Sequence, residues 1–112
     1  MNSEFHLSTH ESEKVSELIG NLKNLKTDET VDMETIAVVL NADGVHTVLK
    51  GESASEYLKV LAEEGVKLKV CSNSIEGQGI DQEKILHNVE VVSSGVAELN
   101  RLQEKSFNYI KI

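Results

Sequence analysis

The chain has 112 residues and a mass of 12.3 kDa, the size of one domain, expected here over residues 1–112. Hydrophobic residues make up 39% and charged residues 27%, as in a folded globular chain, and no apolar stretch approaches the ~18 residues of a membrane span. Met1–His10 carries no basic leader followed by an apolar run, so no secretory signal is expected. Cys71 is the one cysteine, which excludes an internal disulfide framework and fits a reducing cytoplasm. The balance of 11 Lys+Arg against 19 Asp+Glu gives a net charge of −8, and Lys14, Lys23, Lys26, Lys50, Lys59 and Lys84 are scattered among acids. Phosphate backbones would repel such a surface, and 2 Phe with 2 Tyr make a poor stacking platform for bases, so nucleic acid is excluded as a partner.

A short strand is expected at Ser3–Leu7. Ser8-Thr9-His10-Glu11 has capping-box spacing, and Val15, Leu18, Ile19, Leu22 and Leu25 then recur on one helical face. Thr35–Leu40 is a continuous apolar run, the mark of a strand buried on both faces. Asp43-Gly44 predicts a turn and Val45–Lys50 one or two helical turns. A second capping box, Ser53-Ala54-Ser55-Glu56, opens a helix that Gly65 closes. Val66–Cys71 alternates strictly and reads as a strand. Short helical pieces follow at Asn73–Glu76 and Asp81–Leu86, then a strand at Val89–Val92, a helix at Ser94–Glu104 and a last, edge-like strand at Phe107–Ile112. Leu58 and Leu61, like Val96, Leu99 and Leu102, read as core stripes.

Alternating strands and helices imply parallel strands joined by helical crossovers, hence an α/β fold: a three-layer α/β/α sandwich around a mainly parallel five-stranded sheet. In such folds ligands sit beyond the carboxyl ends of the strands. The segments at that edge are Ser8–Glu11, Asn41–His46, Cys71–Ser74 and Ser93–Gly95, and they bring together the thiol, His10 and His46.

Cys71 closes a strand where Asn73 opens a helix, so unpaired backbone N–H groups there favour the thiolate. Period-two alternation places Lys67, Lys69 and Cys71 on one strand face, with Lys69 roughly 7 Å from the thiol. The opposing reading is a buried cysteine serving as a small hydrophobe. No Cys-x-x-Cys is present for a dithiol cycle, and His6, His10, His46 and His87 share no metal-ligand spacing. His10 and His46 are the candidates for facing the thiol as acid or base. Gly77-Gln78-Gly79 does not follow a strand, so no nucleotide loop is expected. Ser93-Ser94-Gly95 ahead of a helix either presents donors to a small anion or only caps the helix. The polar face of the Val66–Cys71 strand is unusual for a doubly covered parallel sheet. It points to a place near the sheet edge or to an open face that meets another subunit.

Gly65-Val66-Lys67-Leu68-Lys69-Val70-Cys71-Ser72-Asn73-Ser74, Val91-Val92-Ser93-Ser94-Gly95-Val96-Ala97-Glu98-Leu99 and the closing Tyr109-Ile110-Lys111-Ile112 together resemble the small stand-alone branch of the DsrE/DsrF-like family. That family is associated with intracellular sulfur oxidation and sulfur relay. Phe5-His6 and Asn21-Leu22-Lys23-Asn24-Leu25 also fit the branch. The resemblance implies an α/β/α domain that assembles into homo-trimers or hexamers, without cofactor or metal. It also implies that a cysteine at the position of Cys71 accepts sulfane sulfur as a persulfide from a donor protein and passes it to an acceptor. On this reading the chain is a cytoplasmic sulfur carrier. Lys69 and Asn73 stabilise the thiolate, His10 or His46 manages protons, and Asn41, Ser93 and Ser94 shape the pocket. The alternative is a non-catalytic homo-oligomeric module for small-ligand binding or assembly, with Cys71 a structural residue.

Overall fold

Thr35–Leu40, buried throughout beyond its first residue, is the central strand of a five-stranded sheet. The computed structural model describes residues 1–112. Its strands are β1 (Asn2–Leu7), β2 (Thr35–Leu40), β3 (Lys67–Cys71), β4 (Val89–Val92) and β5 (Phe107–Lys111). They lie in the order β4-β3-β2-β1-β5, and all four pairings are parallel. The helices are α1 (Ser12–Thr27), α2 (Ser53–Glu63), α3 (Ser72–Gly77) and α4 (Gly95–Glu104), with 3-10 segments at Ala42–Val48 and Gln82–Lys84. No helix is long and apolar enough to cross a membrane.

Each crossover from β1 to β4 moves the same way across the sheet, so right-handed connections place α1, α2 and α3 on one face. The return from β4 to β5 runs the other way and carries α4 over the opposite face. The packing follows. Val15, Leu18 and Leu22 of α1, Leu58 and Leu61 of α2 and Ile75 of α3 join Phe5, Leu7, Val38, Leu40, Leu68 and Val70 in the main core. Fully buried leucines such as Leu22 and Leu58 contribute roughly 2 kcal/mol each by leaving water. On the other face Leu99 and Leu102 of α4 pack on Ala37 and Val39, a much smaller cluster.

The elements expected from the sequence are present, with local corrections. Neither capping box forms. Helix α1 starts one residue beyond Ser8–Glu11, where Thr9 instead accepts from the Glu11 N–H, and α2 starts at Ser53 with Glu52 as its uncapped N-cap. Serine spacing signals capping only when the serine itself is the last extended residue, and here each helix begins beside a glutamate instead. The expected Asp43-Gly44 turn is part of the longer 3-10 segment from Ala42, and the helical stretch near Asp81–Leu86 shrinks to Gln82–Lys84. Val96 is 60% exposed rather than core, because α4 rests on the sheet through Leu99 and Leu102 one turn further on. The closure of α2 holds as read. Gly65 adopts φ +108, its N–H bonds Ala62 and the Val66 N–H reaches back to Leu61, a Schellman arrangement.

Gly44 lies against the end of β1, where an added Cβ would stand 2.2 Å from the Leu7 carbonyl oxygen. Gly20, inside α1, has nothing within 4 Å of such a Cβ. Gly44→Ala is therefore expected to cost at least ~2 kcal/mol, because backbone rather than a pliant side chain must give way. Gly20→Ala is expected to stabilise by up to ~1 kcal/mol through helix propensity. Urea unfolding of the two variants checks both signs.

Candidate functional site

The chain leaves β3 toward the α3 face and leaves β4 toward the α4 face, which makes these two neighbouring strand ends the switch point at which folds of this kind place a ligand crevice. Cys71 ends β3 in that crevice, paired in register with Val92 of β4, and its extended backbone caps α3. The side chain is only 5% exposed. Burial pushes the thiol pKa up, but the Ser74 hydroxyl and the N–H groups of Gly95, Ser74 and Asn73 outweigh it, so the thiol is held below its ordinary value. These donors come from the first turns of α3 and α4, whose N–H groups have no partner within their own helices.

Ser74 also ties the crevice to β2. Its Oγ accepts the Ala42 N–H at 2.8 Å, while Gln78 Nε2 donates to the Ala42 carbonyl at 2.8 Å. Ala42 stands at φ +48, a left-handed conformation that costs a non-glycine residue about 1–2 kcal/mol and that these bonds from α3 hold in place. Asn41, just before it, packs on the start of α4. A Cβ added to Gly95 would lie 3.1 Å from Asn41 Cβ and 3.4 Å from Cys71 Cβ, so both side chains flank a point where glycine lets α4 approach closely. Asn41 Oδ1 is 2.9 Å from His6 Nε2, and His6 Nδ1 is 2.7 Å from the Tyr109 hydroxyl. A polar file thus runs from the β5 edge across β1 to the end of β2, beside the thiol. Burial and the Lys111 charge keep the His6 pKa below its ordinary value against the pull of the Asn41 bond.

Lys69 shares the Cys71 face, as strand alternation requires. Its ammonium lies 2.6 Å from Glu98 and 3.5 Å from Glu90, so it is spent on α4 and β4. The groups that lower the thiol pKa are neutral donors instead. Asn73 contributes its backbone N–H, not its side chain. Ser94 caps α4 by accepting the Ala97 N–H, and Ser93 is exposed. His10 and His46 pair with each other, ring centroids 5.3 Å apart, away from the His6 file. His46 bonds Gln78 at 2.8 Å. His10 lies 3.7 Å from Glu52 and lines a cavity of about 330 Å³ between α1 and α2 with Val15, Ile19 and Tyr57. Nowhere do three or more His, Cys, Asp or Glu side chains converge as metal ligands.

Sequence reading did not single out His6, Glu4 or Tyr109 as site residues, and it took Ser74 and Gly95 only as members of the edge segments Cys71–Ser74 and Ser93–Gly95. The alternation that groups Lys69 with Cys71 also groups Glu4 with His6 on β1, and that was the available signal. Glu4 is fully buried, neither carboxylate oxygen has a hydrogen-bond partner, and burial together with the Glu98 charge raises its pKa to about 7. Glu98 moves the opposite way: burial raises it, but Lys69 and Arg101 outweigh that and hold it below the usual range. Burial and the neighbouring Glu4 charge raise the Tyr109 pKa.

A profile of the DsrE/DsrF-like family matches residues 5–112. Comparison with curated proteins finds no match. Among solved structures, the protein of unknown function MTH1491 from Methanobacterium thermoautotrophicum is similar at 31% identity and TM-score 0.91, over 99% of this chain and 98% of that one. The ychN protein from E. coli aligns at 18% identity and TM-score 0.80 over 100% of both chains. The conserved protein of unknown function BT1422 from Bacteroides thetaiotaomicron aligns at 14% and 0.79, over 99% of this chain and 94% of that one. These last two similarities establish shared fold.

Two outcomes follow from the electrostatics. Ser74→Ala removes a donor to the thiol, so the pH midpoint of Cys71 alkylation by iodoacetamide should rise, whereas Asn73→Ala keeps the backbone donor and should leave it in place. For Glu4, both states are protonated below 4.5, and between 4.5 and about 7 the folded chain holds a proton that the unfolded chain has lost. Stability therefore falls through that window as pH rises, by on the order of 3 kcal/mol, and the loss is complete above it. His6, with its lowered pKa, gives an opposite slope just below 6.5, so the variant comparison isolates Glu4. Glu4→Gln should melt several degrees above the parent at pH 8, with a smaller difference at pH 5, in thermal unfolding.

Proposed function

This chain belongs to the DsrE/DsrF-like family, and from that premise we propose that it is a cytoplasmic, sulfurtransferase-like sulfur carrier whose nucleophile is Cys71. The family is associated with sulfur relay. The observation that carries the reading to this residue is the set of neutral donors, one hydroxyl and three backbone N–H groups, that favours the thiolate of the only cysteine in the chain. The thiolate is the form that attacks sulfur.

In the proposed step the Cys71 thiolate attacks the outer sulfur of a donor persulfide, R–S–SH. A new S–S bond forms on Cys71 as the donor's S–S bond breaks, and the electron pair leaves on R–S⁻, which takes up a proton from solvent. Transfer onward is the same exchange in reverse, with an acceptor thiolate attacking the outer sulfur and Cys71 as the leaving group. The donors that stabilise the Cys71 thiolate serve both steps, since Cys71 is attacking thiolate in one and leaving thiolate in the other. The 5% exposure of Cys71 shields a persulfide carried there from bulk solvent. Sulfur donor and acceptor proteins are the proposed partners. Homo-oligomers, trimers or hexamers, are the proposed assembly, and the exposed Val91 on edge strand β4 and Val96 at the start of α4 suit contact with a second subunit.

The same 5% exposure also favours a second reading, in which Cys71 is a packed structural residue of a non-catalytic binding or assembly module. Intact-mass measurement after incubation with a persulfide donor separates the two. A carrier gains one sulfur atom that reductant removes, and Cys71→Ser gains none while keeping its fold and assembly. Equal loading of Cys71→Ser, or no adduct from several donors, would leave the binding module as the better account.

A further inference from the structure

Strand β1 carries a carboxyl group where a parallel sheet ordinarily carries an apolar side chain. Phe5 and Leu7 enter the main core, so alternation turns Glu4 to the α4 face, where its neighbour in register, Ala37, packs with Leu99 and Leu102. Glu4 is fully buried there, and neither carboxylate oxygen has a hydrogen-bond partner. Asn2, one pleat earlier on the same face, adds a buried Oδ1 that is also unpartnered. A proton on Glu4 removes its charge and turns one of these acceptors into a donor.

The other titratable groups of this face do not relieve an ionised Glu4. From β3, Lys69 lies 2.6 Å from Glu98 and 3.5 Å from Glu90 of β4, while Lys67 is exposed. From α4, Arg101 lies 2.9 Å from Glu98, and Glu98 itself adds negative charge toward Glu4. From β5, Lys111 bonds Ser8 at 2.8 Å, and the Tyr109 hydroxyl lies 2.7 Å from Nδ1 of His6, the other titratable group of β1 on this face. Strand β2 brings only Ala37 and Val39 beneath α4. An ionised Glu4 therefore meets a second carboxylate and bonds no cation. Such a charge is relieved by reaching water. Nineteen core residues close one side of the sheet, whereas Ala37, Val39, Leu99 and Leu102 alone form the buried apolar layer on the other. The thinner layer gives way first.

We infer that α4 is a pH-gated cover: loss of the Glu4 proton to solvent drives local opening of this helix from the sheet, and the opening uncovers Cys71. The link to the thiol is steric. Gly95 is the first residue of α4, and a Cβ added to it would lie 3.4 Å from Cys71 Cβ, so the helix begins against a side chain that is 5% exposed. Closed α4 keeps the thiol from large reagents and partners, and open α4 admits them. The gate does not depend on the persulfide reading, because it stands on the buried carboxyl and the thin layer above it.

Native-state hydrogen exchange on the full chain tests the gate, with Glu4→Gln and the apolar Glu4→Met as two independent ways to remove the titration. With a pKa of about 7 when closed and 4.5 when open, the α4 opening constant rises about tenfold per pH unit between those values and then levels off. From pH 5 to pH 8, after correction for intrinsic rates, the amides of Leu99–Glu104 should lose protection on the order of fiftyfold in the parent. Both variants should show little change. At pH 8 the parent opening should depend weakly on urea, unlike the exchange of Ala37–Leu40 amides in β2, because only one helix is exposed. Cys71 should react with a bulky aromatic disulfide about tenfold or more slowly in the variants than in the parent at pH 8. Three results would each overturn the inference: α4 amides that share the protection and urea slope of β2 at pH 8, a pH response retained in both variants, or equal thiol reaction rates in parent and variants. None of these readouts uses sulfur transfer, so a parent that takes up no sulfur removes the carrier reading and leaves the gate to be decided by exchange.

Discussion

Right-handed crossover is the constraint from which the rest of this structure descends. Four strands laid down in one direction put three helices on one face, and the single return step to β5 leaves α4 alone on the other. One ten-residue helix cannot cover five strands. The α4 face therefore carries what a doubly covered parallel sheet ordinarily excludes: Glu4, His6, Lys69, Tyr109 and Lys111 beside a small apolar cluster. The reversal of direction also opens the crevice between β3 and β4, and the thiol lies there because β3 happens to end in cysteine.

Within that crevice the thiol is governed by short-range neutral donors, and the nearest cation is used elsewhere. Lys69 binds Glu98, which pins α4 to β3, and Arg101 binds the same carboxylate from within α4. Breaking such a part-buried pair leaves an unpaired charge, so its value here is the registration of α4 rather than net stability. Glu4 shows the cost of a polar face under a short helix. Its carboxyl has no partner, and the Glu98 carboxylate adds negative charge close by. Local rules broken at a site and compensated by the surrounding core are what a functional crevice in a small α/β protein is expected to show.

The histidines divide along the same boundary. His10 and His46 belong to the thickly covered side, in the surface layer between α1, α2 and the end of α3. His6 belongs to the α4 face and to the file that ends at Asn41. Two histidines near the carboxyl edge in sequence are thus less engaged with the crevice than one inside a strand, because proximity to the edge says nothing about which face a loop turns toward.

The sequence by itself determined the elements, the α/β alternation, the position of Cys71 at a strand end and the family resemblance of its surroundings. These are local properties: hydrophobic period, a glycine where a helix must close, and side-chain alternation along one strand. Only the tertiary structure decided the partners. Lys69 is one pleat from Cys71 in the chain, yet Glu98, 29 residues away, claims it. Tyr109 and His6 are 103 residues apart and meet because β5 returns to lie beside β1, an order that no local pattern encodes. Ser74 and Gly95 stand in two separate edge segments of the sequence, and only the β3–β4 pairing brings both to one sulfur. Strand order, and with it the inventory of the crevice, is set by the packing of all the helices at once, which is why it became visible only in the folded chain.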